Sequence, residues 1–143
     1  RICICCKTRG DTSGLPLFVI NDALMINDFK HFILNSKTIE NIDIVKQTKA
    51  FNLYGYKAKF GAVLITINDS VKLVTLTNLL DHFKIDLLDR NLPICVDEDF
   101  ITYPEKIRAD ITAVKGITII EGKYWFYTMQ IDTSHKFINI ITK

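Results

Sequence analysis

Short runs of aliphatic and β-branched residues alternate along the chain with polar, turn-forming breaks. "ICICC" (residues 2–6), "LPLFVI" (15–20), "IDIV" (42–45), "AVLITI" (62–67) and "NLPICVD" (91–97) have the β-rich character of strands. "AFNLY" (50–54) reads as strand-like too. "KTRGDTSG" (7–14) reads as a loop, and "GYKAKFG" (55–61) as a turn-bearing stretch. Two longer stretches have an apolar-turn-apolar rhythm. "LITINDSVKLVTL" (64–76) predicts a hairpin turned at Asn68–Asp69, and "ITIIEGKYWFYT" (117–128) one turned at Glu121–Gly122.

Helical spacing predicts three helices. One covers about 23–36, with Asn21 and Asp22 as N-caps and Leu24, Met25, Phe29, Phe32 and Ile33 as its apolar residues. The second runs from Thr77 to about Asp89, with Leu79, Leu80, Phe83, Leu87 and Leu88 facing inward. The third is a short terminal helix over "HKFINIITK" (135–143), capped by Asp132, Thr133 or Ser134. Residues 98–116 are ambiguous, with Pro104 breaking any long helix.

The predicted class is therefore α+β, with short antiparallel hairpins each followed by a short helix. Phe18, Leu73 and Phe126 hold matching places in three such arms, 55 and 53 residues apart. That spacing predicts either a repeat of about 54 residues or a coincidence of a common motif. The length of 143 residues suits one domain, 1–143, with sub-units at 1–61 and 62–143.

Composition changes this picture little. Apolar residues make up 48% of the chain, enough for an ordinary core. The net charge of +2 does not by itself announce a nucleic-acid partner, although a local patch suffices for one. No apolar run approaches the ~18 residues of a membrane span, and no signal-peptide pattern appears. The first residue is Arg1, which suggests a fragment or a processed product. Cys3, Cys5, Cys6 and Cys95 lack both zinc spacing and the pattern of a disulfide framework. They read as reduced core cysteines, and the protein as intracellular.

Residues 62–143 resemble the N-terminal domain of the viral BRO family, shared with phage antirepressors. "ITINDSVKLVTLTNLLDHFKI" looks like the family's first hairpin and helix, and "ICVDEDFITYP" like its acidic and Pro step. "GITIIEGKYWFYT" and "HKFINIITK" look like the closing hairpin and helix. The chain departs from the family in carrying Lys72 and Leu73 where a Trp-Phe-like pair is usual. It also has "HFKI" in place of Leu-Gly-Tyr, and Pro93 and Ile94 in place of a basic residue and His. The resemblance implies DNA binding by a regulatory protein of viral or phage type.

Phosphate contact needs Lys or Arg held on a rigid face. The candidates are Lys57, Lys59, Lys72, Lys106, Arg108, Lys115, Lys123 and Lys136, each of which also reads as ordinary solvated surface. In "KYWFY" (123–127), strand alternation puts Tyr124 and Phe126 on one face and Trp125 and Tyr127 on the other. One face is core, and the Trp125–Tyr127 pair is the candidate for stacking on bases or on a protein partner.

Enzyme readings lack a constellation. His31, His82 and His135 share no metal-ligand spacing, Cys95 has no local base, and there is no Gly-rich phosphate loop. Asp97, Glu98 and Asp99 read as a solvated acidic turn rather than a cation site, and the "RGD" at 9–11 is too short to imply adhesion. No cofactor or metal is expected. Two functions stand: a non-enzymatic DNA-binding or regulatory module, and a protein-interaction or structural module of a larger assembly.

Overall fold

The computed structural model describes residues 14–121 and 136–143 and has an α+β architecture of three sheets and two α-helices. It divides into two units. Among the described residues, one comprises 14–29 together with Asn35–Lys72, and the other Lys30–Leu34 together with 73–121 and 136–143.

The N-terminal unit begins with β1 (Leu17–Ile20), whose four residues are all buried. Burial on both faces explains why this strand shows no polar alternation. Asn21 and Asp22 both take the left-handed conformation (φ 48° and 57°) and turn the chain into antiparallel β2 (Leu24–Ile26). Asn and Asp tolerate that conformation better than other side chains do, which suits them to a hairpin turn. The next strand, β3 (Phe32–Ile33), belongs to the other unit. Then β4 (Ile39–Val45) leads through α1 (Gln47–Tyr54) to β5 (Ala62–Ile67). β5 runs parallel to β1 and antiparallel to β4, giving the order β2-β1-β5-β4. Residues on both sides of the 61/62 position thus build one sheet.

The C-terminal unit contains β6 (Leu73–Thr75), α2 (Leu76–His82), β7 (Ile94–Val96), β8 (Asp99–Phe100), β9 (Arg108–Asp110), β10 (Val114–Glu121) and β11 (Lys136–Thr142). One sheet has the order β10-β11-β7-β8, and a small one the order β3-β9-β6. Leu79, Leu80, Val96, Ile101, Ile107, Ile138 and Ile140 form the centre of its core.

Several elements differ from the sequence expectations. No hairpin joins 64–67 to 70–76, because β5 and β6 lie in different sheets. Asn68 instead forms a local turn in which its side chain accepts from Ser70 N at 2.9 Å. The helix expected over 23–36 is replaced by β2, a 3-10 turn (Phe29–His31) and β3. "AFNLY" is helical, since Ala50, Tyr54 and Ala58 make a narrow stripe that packs on the sheet. α2 starts one cap earlier than expected, with Thr75 Oγ1 accepting from Asn78 N, and stops at His82. Lys84 (φ 56°) reverses the chain there, which leaves Leu87 and Leu88 exposed rather than inward. The terminal segment is β11 and not a helix. Its Phe137–Ile140 run is buried on both faces, and such a run carries no period that distinguishes strand from helix. β11 is the partner described for β10; residues 123–128 of the expected hairpin and the caps 132–134 lie outside the described residues.

Phe18 and Leu73 fall in strands with different partners, β1 and β6, and Phe126 lies outside the described residues. The strand pairing displays a longer correspondence. Each β4–β5 pair recurs in β10–β11 at positions 75 residues later: Ile39↔Ile67 matches Val114↔Thr142, and Val45↔Ala62 matches Ile120↔Phe137. The register shift recurs as well, between Ile39 and Asn41 and between Val114 and Gly116. The β1–β2 hairpin with parallel β5 is matched by the β7–β8 hairpin with parallel β11. Asn21 and Asp97 open the two turns at positive φ. Both accept a hydrogen bond at 2.8 Å from the backbone at the end of the last strand, Ile67 N and Thr142 N respectively. Asn35 and Asp110 cap matching 3-10 turns, accepting from Lys37 N and Thr112 N. Asn68 N donates to Thr38 O at 2.9 Å, and Lys143 N to Ala113 O at 3.0 Å.

Candidate functional site

Residues 44–68 contain no Asp or Glu, yet carry Lys46, Lys49, Lys57 and Lys59. All four lysines are exposed. Lys49 lies on α1 and Lys57 on the 3-10 turn that follows it, Gly55–Ala58, with Lys46 at the cap before the helix and Lys59 at the cap after the turn.

The local sequence explains the shape of this segment. α1 contacts its sheet through Ala50, with Tyr54 half-buried, so most of its circumference faces solvent. Its N-terminal end carries Lys46 at the cap with no side-chain cap bond, and no acid in the first turn. Cations at that end oppose the helix dipole and anions would relieve it. Gly55 (φ 73°) ends the helix, and its N–H donates to Phe51 O. Asn27 Nδ2 donates to Lys57 O at 3.0 Å and ties the following turn to the N-terminal unit. Gly61 (φ 100°) then returns the chain to β5 where an added Cβ would lie 3.0 Å from Val45 O, so only glycine closes the loop without strain.

Aromatic rings share this surface. Phe51, Tyr56 and Phe60 are 49%, 72% and 39% exposed. Lys59 Nζ lies 4.5 Å from the Tyr56 ring centroid and 4.8 Å from that of Phe60, within cation–π range of both. It also donates to Tyr56 Oη at 2.8 Å. That hydrogen bond first, and the Lys59 charge second, hold the Tyr56 hydroxyl below the usual tyrosine range.

The structure brings together Lys57 and Lys59 among the expected contacts. Lys46 and Lys49 are exposed on the same segment, around the start of α1, and a strand reading of 50–54 does not show them. The signal in the sequence was the carboxylate-free window, not a motif. Lys72 is exposed just before β6, and Lys115 is exposed on β10. Lys106 is exposed over the Tyr103 ring at 4.7 Å. Arg108 is half-buried in β9 and donates to the carbonyls of Glu105 and Ile107, so its guanidinium serves its own loop. Lys136 is exposed at the start of β11, paired in register with Glu121. Lys123, Trp125, Tyr127, His135 and the Cys3, Cys5 and Cys6 cluster lie outside the described residues.

The remaining reactive groups have structural settings. Asp97 accepts from Thr142 N and Oγ1, and Asn139 Oδ1 accepts from Glu98 N, so the acidic turn braces the β7–β8 hairpin. Cys95 is buried in β7, and its thiol pKa is pushed up to about 11 by burial first and then by Asp99 and Glu98. A thiol so placed stays protonated at neutral pH and is a poor nucleophile. His31 is buried and stacks on Tyr103 at 6.4 Å, and His82 meets Phe83 edge-on at 5.1 Å. Among the described residues no three His, Cys, Asp or Glu side chains gather to hold a metal ion, and no helix is long and apolar enough to cross a membrane. Compared with family models, curated proteins and solved structures, the chain matches none.

Proposed function

We propose that the chain is a non-enzymatic DNA-binding module that contacts phosphates through the α1 face. The observation that carries this reading is the exposure of Lys46, Lys49, Lys57 and Lys59 on one short segment with no carboxylate between residues 44 and 68. A net charge of only +2 is no obstacle, since phosphate contact depends on the local field. The two lysines at the uncapped start of α1 oppose the helix dipole, and local rules are most often broken where function requires it. A regulatory setting of viral or phage type rests on the sequence resemblance alone, whose hairpin at 64–76 and closing helix are replaced by other elements in the fold.

Fluorescence anisotropy with labelled DNA at low and moderate salt tests it. Four phosphate contacts predict an affinity loss of roughly 50- to 150-fold between 50 and 200 mM salt. Lys57→Glu with Lys59→Glu should abolish most of the binding at 50 mM. Absence of binding at low salt rejects the reading. A protein-interaction module is then favoured by Leu87 and Leu88, which are 75% and 86% exposed in the C-terminal unit.

A further inference from the structure

We infer that the α1 face takes single-stranded rather than duplex nucleic acid, with Tyr56 and Phe60 stacking on bases and the lysines on phosphates. This rests on the DNA-binding reading and narrows it. A duplex groove is read by an inserted helix or a two-stranded ribbon. The ribbon expected at 64–76 does not form, since β5 and β6 lie in different sheets. α1 has eight residues, about 12 Å at 1.5 Å per residue, and exposes Leu53 one turn from Lys49 and Phe51 on another side of the helix. Base edges offer such side chains little in a groove, because the π-faces of the bases are covered by their neighbours in the duplex. An unpaired strand offers those faces.

The rings and cations are combined as a strand would require. Tyr56 and Phe60 flank Lys59, whose Nζ is 4.5 and 4.8 Å from their centroids, and Lys57 lies between them in sequence. Each ring stays substantially exposed although a few residues away Ala50 and Ala58 are fully buried. The segment therefore has small residues where it meets the sheet and rings where it meets solvent. Stacking platforms lined by positive charge are the recurrent means of holding single strands.

The test uses the full chain and four probes: labelled dT15, labelled U15, a matched DNA duplex, and phosphatidylserine vesicles. The expected result is at least tenfold tighter binding of a single strand than of duplex. Tyr56→Ala and Phe60→Ala should each weaken single-strand binding between fivefold and a hundredfold, with Tyr56→Phe close to the parent. The dT15 and U15 arms distinguish DNA from RNA as the source of the strand. A thermal melt confirms that each variant remains folded. If duplex binds as well as the single strands, the inference fails. It also fails if the ring variants bind unchanged while Lys57→Glu with Lys59→Glu does not, since contact is then to phosphate alone and the broader DNA reading survives. Binding to vesicles without binding to any oligonucleotide overturns both.

Discussion

The sheet β2-β1-β5-β4 of the N-terminal unit and the sheet β10-β11-β7-β8 of the C-terminal unit are built on the same plan but stabilised with different polar groups. Both have a left-handed turn opened by Asn or Asp, a parallel central pair and a long edge strand with one register shift. In the N-terminal sheet the turn is braced once, by Asn21 to Ile67 N. In the C-terminal sheet it is braced three times, by Asp97 to Thr142 N and Oγ1 and by Asn139 to Glu98 N. Asn139 is buried on the central strand 75 residues after Leu64, which has no polar group to offer. What the two sheets keep in common is the satisfaction of backbone groups at strand ends. What they do not keep is surface charge. Glu40 and Asp43 on β4 correspond to Lys115 and Thr118 on β10, and a helix that starts with Lys46 at its cap and Lys49 in its first turn follows β4. Buried backbone groups must be paired, whereas exposed positions are open to take on function.

The comparison breaks most directly at the turns. Asp97→Ala removes a charged acceptor of two hydrogen bonds and places alanine at φ 47°, so it should cost about 3 kcal/mol. Asn21→Ala removes one neutral acceptor and should cost about 2 kcal/mol, including its unfavourable φ. Urea denaturation of both variants measures the difference, and Asp97→Asn should recover part of the loss. Equal losses would mean that the extra braces contribute nothing.

A smaller effect separates stability from binding at α1. Lys46→Asp supplies the missing cap and reverses the clash with the helix dipole, so it should raise stability by about 1 kcal/mol. The same variant should weaken oligonucleotide binding severalfold at low salt. A gain in stability with no change in affinity would remove Lys46 from the contact surface.

The last contrast concerns pH. The Cys95 thiol rises from an ordinary value of 9.0 to about 11, so its ionised form is disfavoured in the folded state. The associated stability is fully present below pH 9 and is lost as pH rises through about 11. Val19 holds the corresponding place in β1, opposite Leu64 as Cys95 is opposite Asn139. Cys95→Val should therefore lose less stability than the parent between pH 8 and pH 10.5, as read from urea midpoints.

The α+β class and the strands β1, β4, β5, β7 and β10 were legible in the residue pattern, since runs of Ile, Val and Leu bounded by turn residues suit little else. The sequence also marked Lys57 and Lys59. Tertiary structure decided the rest, and the Asn-Asp pairs show why. Asn21–Asp22 invited reading as a helix cap and makes a hairpin, while Asn68–Asp69 invited reading as a hairpin and makes a local turn between strands of different sheets. The dipeptide is compatible with each of these, and the outcome depends on which strand lies within reach to pair with the next segment. The same holds for β11, whose buried run became a strand because β7 and β10 flank it. It holds for α1, where Ala50 and Ala58 permit close packing only because β5 and Val45 are there to receive them. The surface proposed for binding was the least legible feature. Lys46 and Lys49 come out as exposed cations at the start of a helix, and that helix exists through contacts distant in sequence.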